Sequence, residues 1–228
     1  MQEQFKTQVI ETAQKAQREG LCKHKSGNIS VYDPESGFFF ITPSGVDREK
    51  LTPDDICVLD LELNQKSGGK PSSESLMHAA CYRARSDIRA IVHTHSRMAT
   101  AFSVLNKPIP ATVFEMFVFP TENACIPVAP YALPGTEALA DNVARVIAKN
   151  DMALMERHGA IAVGKARRKR FWRHTIRRNS RSCIITRCKS TAVWNRPYSP
   201  KKNWTGGCIR KNCADVPSGF AVVYACAK

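Results

Sequence analysis

The sequence predicts an α/β domain over its first 165 residues, with a mixed or antiparallel sheet flanked by helices. Two observations carry this. Segments with helical spacing of apolar residues alternate with short runs rich in β-branched and aromatic residues. Some neighbouring runs are joined only by turn residues, which favours antiparallel pairing over a purely parallel sheet.

Each element has its own signal. Residues 2–19 read as a helix, because Phe5, Val9, Ile10, Ala13 and Ala16 share one face and Gly20 is a natural stop. Asn28–Asp33 and Phe38–Thr42 read as strands, joined by the turn chemistry of Pro34-Glu35-Ser36-Gly37. Ile56–Leu61 is a third strand, and Lys66-Ser67-Gly68-Gly69 reads as a further turn. Ser72 or Ser73 can cap a helix running to about Arg85. Ile88–His95 is a buried strand, followed by a short helix to about Leu105 and breaks at Pro108 and Pro110. Gly135–Lys149 is an amphipathic helix, and Ala153–Val163 supplies two short strands around His158-Gly159.

Composition divides the chain in two. The whole of it has 228 residues and a net charge of +14. Residues 1–165 hold 18 Lys and Arg against 19 Asp and Glu, a net of −1; residues 166–228 hold 16 against one, Asp215, a net of +15. Trp172, Trp194 and Trp204 and five of the nine cysteines also fall in that last segment. A basic tail is ordinarily a sign of nucleic acid or an anionic surface. Cys22, Cys57, Cys81 and Cys125 are scattered and read as reduced core thiols. No apolar run approaches a membrane span, and Met1–Phe5 has no signal-peptide character, so the expected location is the cytoplasm.

Three patterns carry chemistry. In Val92-His93-Thr94-His95 the two imidazoles project from one face of a strand, as two ligands of one metal would. His158, followed by Gly159, is a third candidate ligand, and three histidines with an open position describe a catalytic zinc. Alone, histidines at a strand end need no metal. In Lys70-Pro71-Ser72-Ser73-Glu74 the carboxylate is either a general base or a plain charge at a helix N-terminus. Lys25-Ser26-Gly27-Asn28 and Thr42-Pro43-Ser44-Gly45 are corners that can cradle a phosphate, although turn chemistry explains each at least as well.

Taken in order, these motifs, with Ala129-Pro130-Tyr131, Pro134-Gly135-Thr136 and His158-Gly159, resemble the class II aldolase/adducin family, in particular its fuculose-phosphate aldolases, from about residue 2 to 164. The resemblance implies a three-layer α/β/α domain with a mainly antiparallel central sheet. It implies zinc on His93, His95 and His158, and Glu74 as acid/base. Phosphate contacts fall to Asn28, Ser44, Gly45, Ser72 and Ser73, with Ser26 and Gly27 shaping the first corner. The implied reaction is cleavage of a ketose 1-phosphate to dihydroxyacetone phosphate and an aldehyde, in a homotetramer. A related epimerase or dehydratase, an inactive metal-binding relic and a nucleic-acid binder are the alternatives. An epimerase branch has aspartate where Glu74 stands, so glutamate favours the aldolase. The tyrosine that protonates the aldehyde oxygen in the family corresponds to Phe114, which has no proton to give; Glu115 is its neighbour.

Residues 166–228 depart from that pattern. The family's terminal helix with adjacent tyrosines and its Asn-Gly-Gly loop are missing, yet both are compatible with a neighbouring reading frame. Taking the third base of each codon with the first two of the next, Lys189 to Pro197 can read Val-Asn-Gly-Gly-Met-Glu-Pro, with Glu forced by Trp194-Asn195. Cys183–Thr186 can read as adjacent tyrosines. The expectation is an out-of-frame tail without a stable fold of its own, and weak or no activity in the chain as written.

Overall fold

The computed structural model describes residues 2–23, 25–112 and 122–165. Phe114, Glu115 and the tail from 166 onward lie outside the described residues. The chain opens with helix α1 (Gln2–Arg18), then the strands β1 (Asn28–Asp33), β2 (Phe38–Ile41), β3 (Cys57–Asp60) and β4 (Gln65–Ser67). Helix α2 (Ser75–Ala84), strand β5 (Ile88–Thr94) and helix α3 (Arg97–Val104) follow. After β6 (Ile109–Pro110), β7 (Cys125–Ile126) and β8 (Val128–Ala129) come helix α4 (Glu137–Ile147) and the hairpin of β9 (Met152–Met155) and β10 (Gly159–Lys165).

The main sheet has the order β4-β3-β2-β1-β5-β10-β9-β8. Every neighbouring pair is antiparallel except β8 with β9. The expected three layers are present. Phe39 and Ile41 of β2, with Ile91 and Ile161 of the central strands, pack under α2 and α4. Phe40, with Ile29 and Val31, packs against Val9 and Ala13 of α1 on the other face. Ala99 of α3 covers Leu154 and Ala160 on that same side. Adjacent residues of one strand thus serve two cores, as the period of two requires. The same alternation turns Asn28 and Ser30 of β1 toward α2, and this matters for the site.

Two expectations are corrected. Lys66-Ser67 is not in a turn: Gln65–Ser67 is an edge strand paired with β3, and the chain reverses one step earlier. Asp60 causes the shift, since its carboxylate accepts the N–H groups of Glu62 and Asn64 and closes the turn there, with Leu63 at φ 70°. Neither Ser72 nor Ser73 is the N-cap residue of α2; Glu74 occupies that position. Ser72 shapes the preceding turn instead, its hydroxyl accepting from the Glu74 N–H and its carbonyl from Ser75. Among the described residues no helix is long and apolar enough to cross a membrane.

Candidate active site

Three strands and one helix end meet at His93. It lies near the end of β5, opposite Asn28 of β1 and Ile161 of β10. His95 follows two residues on, just past the strand. The β9–β10 hairpin brings in His158 through a turn in which Arg157 takes φ 55°. Glu74 reaches the same point from the start of α2. Gly159 is what lets the hairpin close on β5: a Cβ there would overlap the Thr94 carbonyl oxygen and lie 3.3 Å from both His93 Cε1 and His95 Cδ2.

The hydrogen bonds fix which atoms are free. His93 Nδ1 is 2.9 Å from the Ala160 carbonyl, which can only accept, so Nδ1 carries the proton and Nε2 presents a lone pair. That Nε2 stands 2.9 Å from His95 Nε2 and 3.1 Å from Glu74 Oε2. Glu74 Oε1 is 3.3 Å from His158 Nε2. The three rings form a near-equilateral triangle, with centroids 4.8, 4.9 and 4.9 Å apart. All four ligand atoms lie within 4.8 Å of one another.

This donor set fits a divalent cation. Acceptor atoms face one another, and buried Glu74 Oε1 has no hydrogen-bond partner. Leaving such atoms unpaired is costly, and a cation among them removes the cost. Burial pushes the Glu74 carboxyl up, but its contacts with His93, His158 and the Asn28 amide outweigh it and hold Glu74 well below the usual carboxylate range. Burial, with the neighbouring imidazoles of His93 and His158, lowers His95 to about 4, and burial, with His93, lowers His158. Neutral imidazoles beside an ionised carboxylate are the forms that ligate a metal.

Of the phosphate-corner residues expected from sequence, Gly27 and Asn28 reach this cluster, and the second corner abuts the turn that precedes Glu74. Gly27, at φ 71°, packs so closely on Cys22 and the His93 carbonyl that a Cβ would meet them at 2.6 and 2.7 Å. Ser26 folds its hydroxyl back onto Lys23, donating to its carbonyl at 2.7 Å. Ser44 donates its N–H to the Lys70 carbonyl at 2.8 Å, and Pro43 bridges to Pro71, so the second corner abuts the Ser72-Ser73 turn. A Cβ on Gly135 would lie 3.0 Å from the Ser73 carbonyl, which brings the Pro134–Thr136 segment alongside. The Asn28 side chain is turned to the histidine cluster: Nδ2 donates to Glu74 Oε2 at 2.8 Å.

Behind Glu74 runs a chain of buried groups that sequence reasoning did not single out. His78 Nε2 is 2.6 Å from Asn28 Oδ1, so it donates, and Nδ1 accepts from the Ser30 hydroxyl at 2.6 Å. Ser30 is in turn 2.7 Å from the Tyr82 hydroxyl. Burial lowers the His78 pKa to about 3, so the ring is neutral. His78 follows Glu74 by four residues on one helix, a spacing that could have marked it.

Comparison with known proteins identifies the family. Residues 7–179 match the family described as Class II Aldolase and Adducin N-terminal domain. The chain is 37% identical over 164 residues, 72% of its length and 75% of the relative's, to a 5-methylthioribulose-1-phosphate/5-deoxyribulose-1-phosphate aldolase of Escherichia coli O45:K1 (strain S88 / ExPEC). It is 38% identical over 165 residues, again 72% and 75%, to the L-fuculose phosphate aldolase of Escherichia coli (strain K12). A solved L-fuculose 1-phosphate aldolase superposes with a TM-score of 0.68 at 35% identity, over 72% of this chain and 76% of that one. In sequence and in fold, this chain belongs to the class II aldolase and adducin family.

Proposed function

We propose that this chain is a zinc-dependent aldolase that reversibly cleaves a ketose 1-phosphate of the L-fuculose 1-phosphate type to dihydroxyacetone phosphate and an aldehyde. The observation that supports it is the convergence of three imidazoles and Glu74 within 4.8 Å. His93, His95 and His158 would hold the metal, which when bound supplies Lewis acidity to the negative charge that C–C cleavage leaves. Glu74 handles the proton on the carbon beside the ketone, removing it in the synthetic direction and returning it in cleavage. Its contacts with Asn28 and His93 keep the carboxylate ionised and aimed. Ser44, Gly45, Ser72 and Ser73 form the phosphate cradle, Ser26 and Gly27 hold its first corner, and Asn28 links cradle to base. Binding the phosphate there spends remote binding energy on positioning the reacting carbons.

The remaining readings belong to the same proposal. Residues 166–228 are an out-of-frame substitute for the family terminus, supported by their net charge of +15 and by the residues encoded one base away. The protein is cytoplasmic, and the tail's charge opposes tetramer assembly. The test is a coupled assay for dihydroxyacetone phosphate on L-fuculose 1-phosphate, run on the 228-residue chain and on one with the neighbouring frame restored after residue 165. Zinc-dependent product from the restored chain and little from the chain as written is the expected result. Epimerised sugar phosphate in place of dihydroxyacetone phosphate would overturn the aldolase reading. Equal activity of the two chains would overturn the account of the tail.

A further inference from the structure

Among the described residues, Arg48 carries the largest side chain that is fully buried, at 2% exposure. It sits in the short 3₁₀ turn Arg48–Lys50, which Asp47 caps by accepting from the Glu49 N–H. Its guanidinium donates to three backbone carbonyls. Nη1 reaches Pro43 at 3.2 Å, and Nη2 reaches Gly27 at 2.5 Å and Lys25 at 3.4 Å. Nε is buried with no partner. Among the described residues no carboxylate stands within ion-pair distance of it.

Two facts need one explanation. The three carbonyls belong to the two corners of the phosphate cradle, Lys25 and Gly27 to the first and Pro43 to the second. One side chain therefore sets the separation of both corners, and the Pro43–Pro71 bridge carries that setting on to the Ser72-Ser73 turn. The clamp is also a positive charge in a place where burial disfavours charge; it donates only to neutral carbonyls, and the charge of neighbouring Asp47 offsets that burial only in part. A neutral donor would clamp with less loss. On the outer side of the corners, Ser44, Gly45 and Ser73 are exposed. Among the described residues nothing accepts from the N–H of Gly45 or Ser73. Free donors in front and an unpaired cation behind are complementary to a dianion.

We propose that Arg48 is a positioning and specificity-determining residue: from beneath the two corners it fixes their geometry and supplies the counter-charge that selects a phosphorylated substrate. It touches neither the metal nor the phosphate. This inference rests on the phosphate cradle of the proposed function.

The test uses inorganic phosphate as probe, titrated calorimetrically into the zinc-loaded full chain, for wild type, Arg48→Gln and Arg48→Lys. Arg48→Gln keeps a donor and loses the charge; Arg48→Lys keeps the charge and loses the fork. Wild type binds phosphate; Arg48→Gln binds it at least tenfold more weakly, and Arg48→Lys at least threefold. Zinc content stays at the wild-type level in both, which a merely structural role would not give. In the frame-restored chain the same variants raise KM for the ketose phosphate and leave kcat within threefold. Wild-type phosphate affinity in either folded, zinc-loaded variant overturns the role of Arg48 while the cradle stands. Absence of phosphate binding to wild type overturns the cradle itself, and the role of Arg48 with it.

Discussion

Replacing Gly159 by alanine adds one methyl group at the start of β10, beside the end of β5 that carries His93. Gly159 does not have a left-handed backbone, so the whole effect is steric. The new Cβ overlaps the Thr94 carbonyl oxygen and presses on the His93 and His95 rings at 3.3 Å. Overpacking of this kind costs about 1–3 kcal/mol. The strands can relieve it only by separating, which stretches the 2.9 Å bond from His93 Nδ1 to the Ala160 carbonyl. That bond sets the His93 tautomer and ring plane, and loss of such a support lowers metal affinity about 10–100-fold. The assay is a zinc competition titration against a calibrated chelator, with urea unfolding of the same samples. Unchanged zinc affinity together with unchanged stability would refute the reasoning, because the methyl group would then have found room that the geometry denies it.

Two further outcomes follow from the same site. Glu74→Gln keeps the hydrogen-bonding shape and removes the proton carrier, so kcat of the frame-restored chain falls about 100- to 10,000-fold while zinc stays bound; activity within a few-fold of wild type would remove Glu74 from the chemistry. His78 is neutral in the folded chain down to a pH of about 3, against an ordinary value of 6.5. The unfolded chain takes up that proton first, so the contribution to stability is complete above about pH 6.5 and is lost as pH falls through the window, by up to about 1.4 kcal/mol per unit. Urea midpoints measured at pH 7, 5.5 and 4.5 should show a shallower decline for His78→Gln than for wild type; parallel declines would contradict the assignment.

Much of the fold was legible because its signals are local. Phe38–Ile41 and Asn28–Asp33 announce themselves by composition, and Pro34–Gly37 by turn chemistry. Gln65–Ser67 did not, since an exposed polar edge strand has no alternation to read, and only the Asp60 carboxylate moves the turn upstream of it. The two-residue β8 is made by its parallel partner β9 and has no pattern of its own. At the site, His93, His95, His158 and Glu74 were readable from spacing and motif order, and the structure brings all four together. Arg48 and His78 were not read. A buried polar side chain looks like a surface one in sequence, because what distinguishes it is the set of distant carbonyls and hydroxyls that close around it.

Elemental analysis of the purified chain tests the metal centre most directly. Wild type is expected to hold close to one zinc per chain, and the His93→Ala, His95→Ala double variant close to none, with both folded by circular dichroism. Equal zinc in the two proteins would contradict the assignment of the three histidines, and with it the chemistry proposed for Glu74.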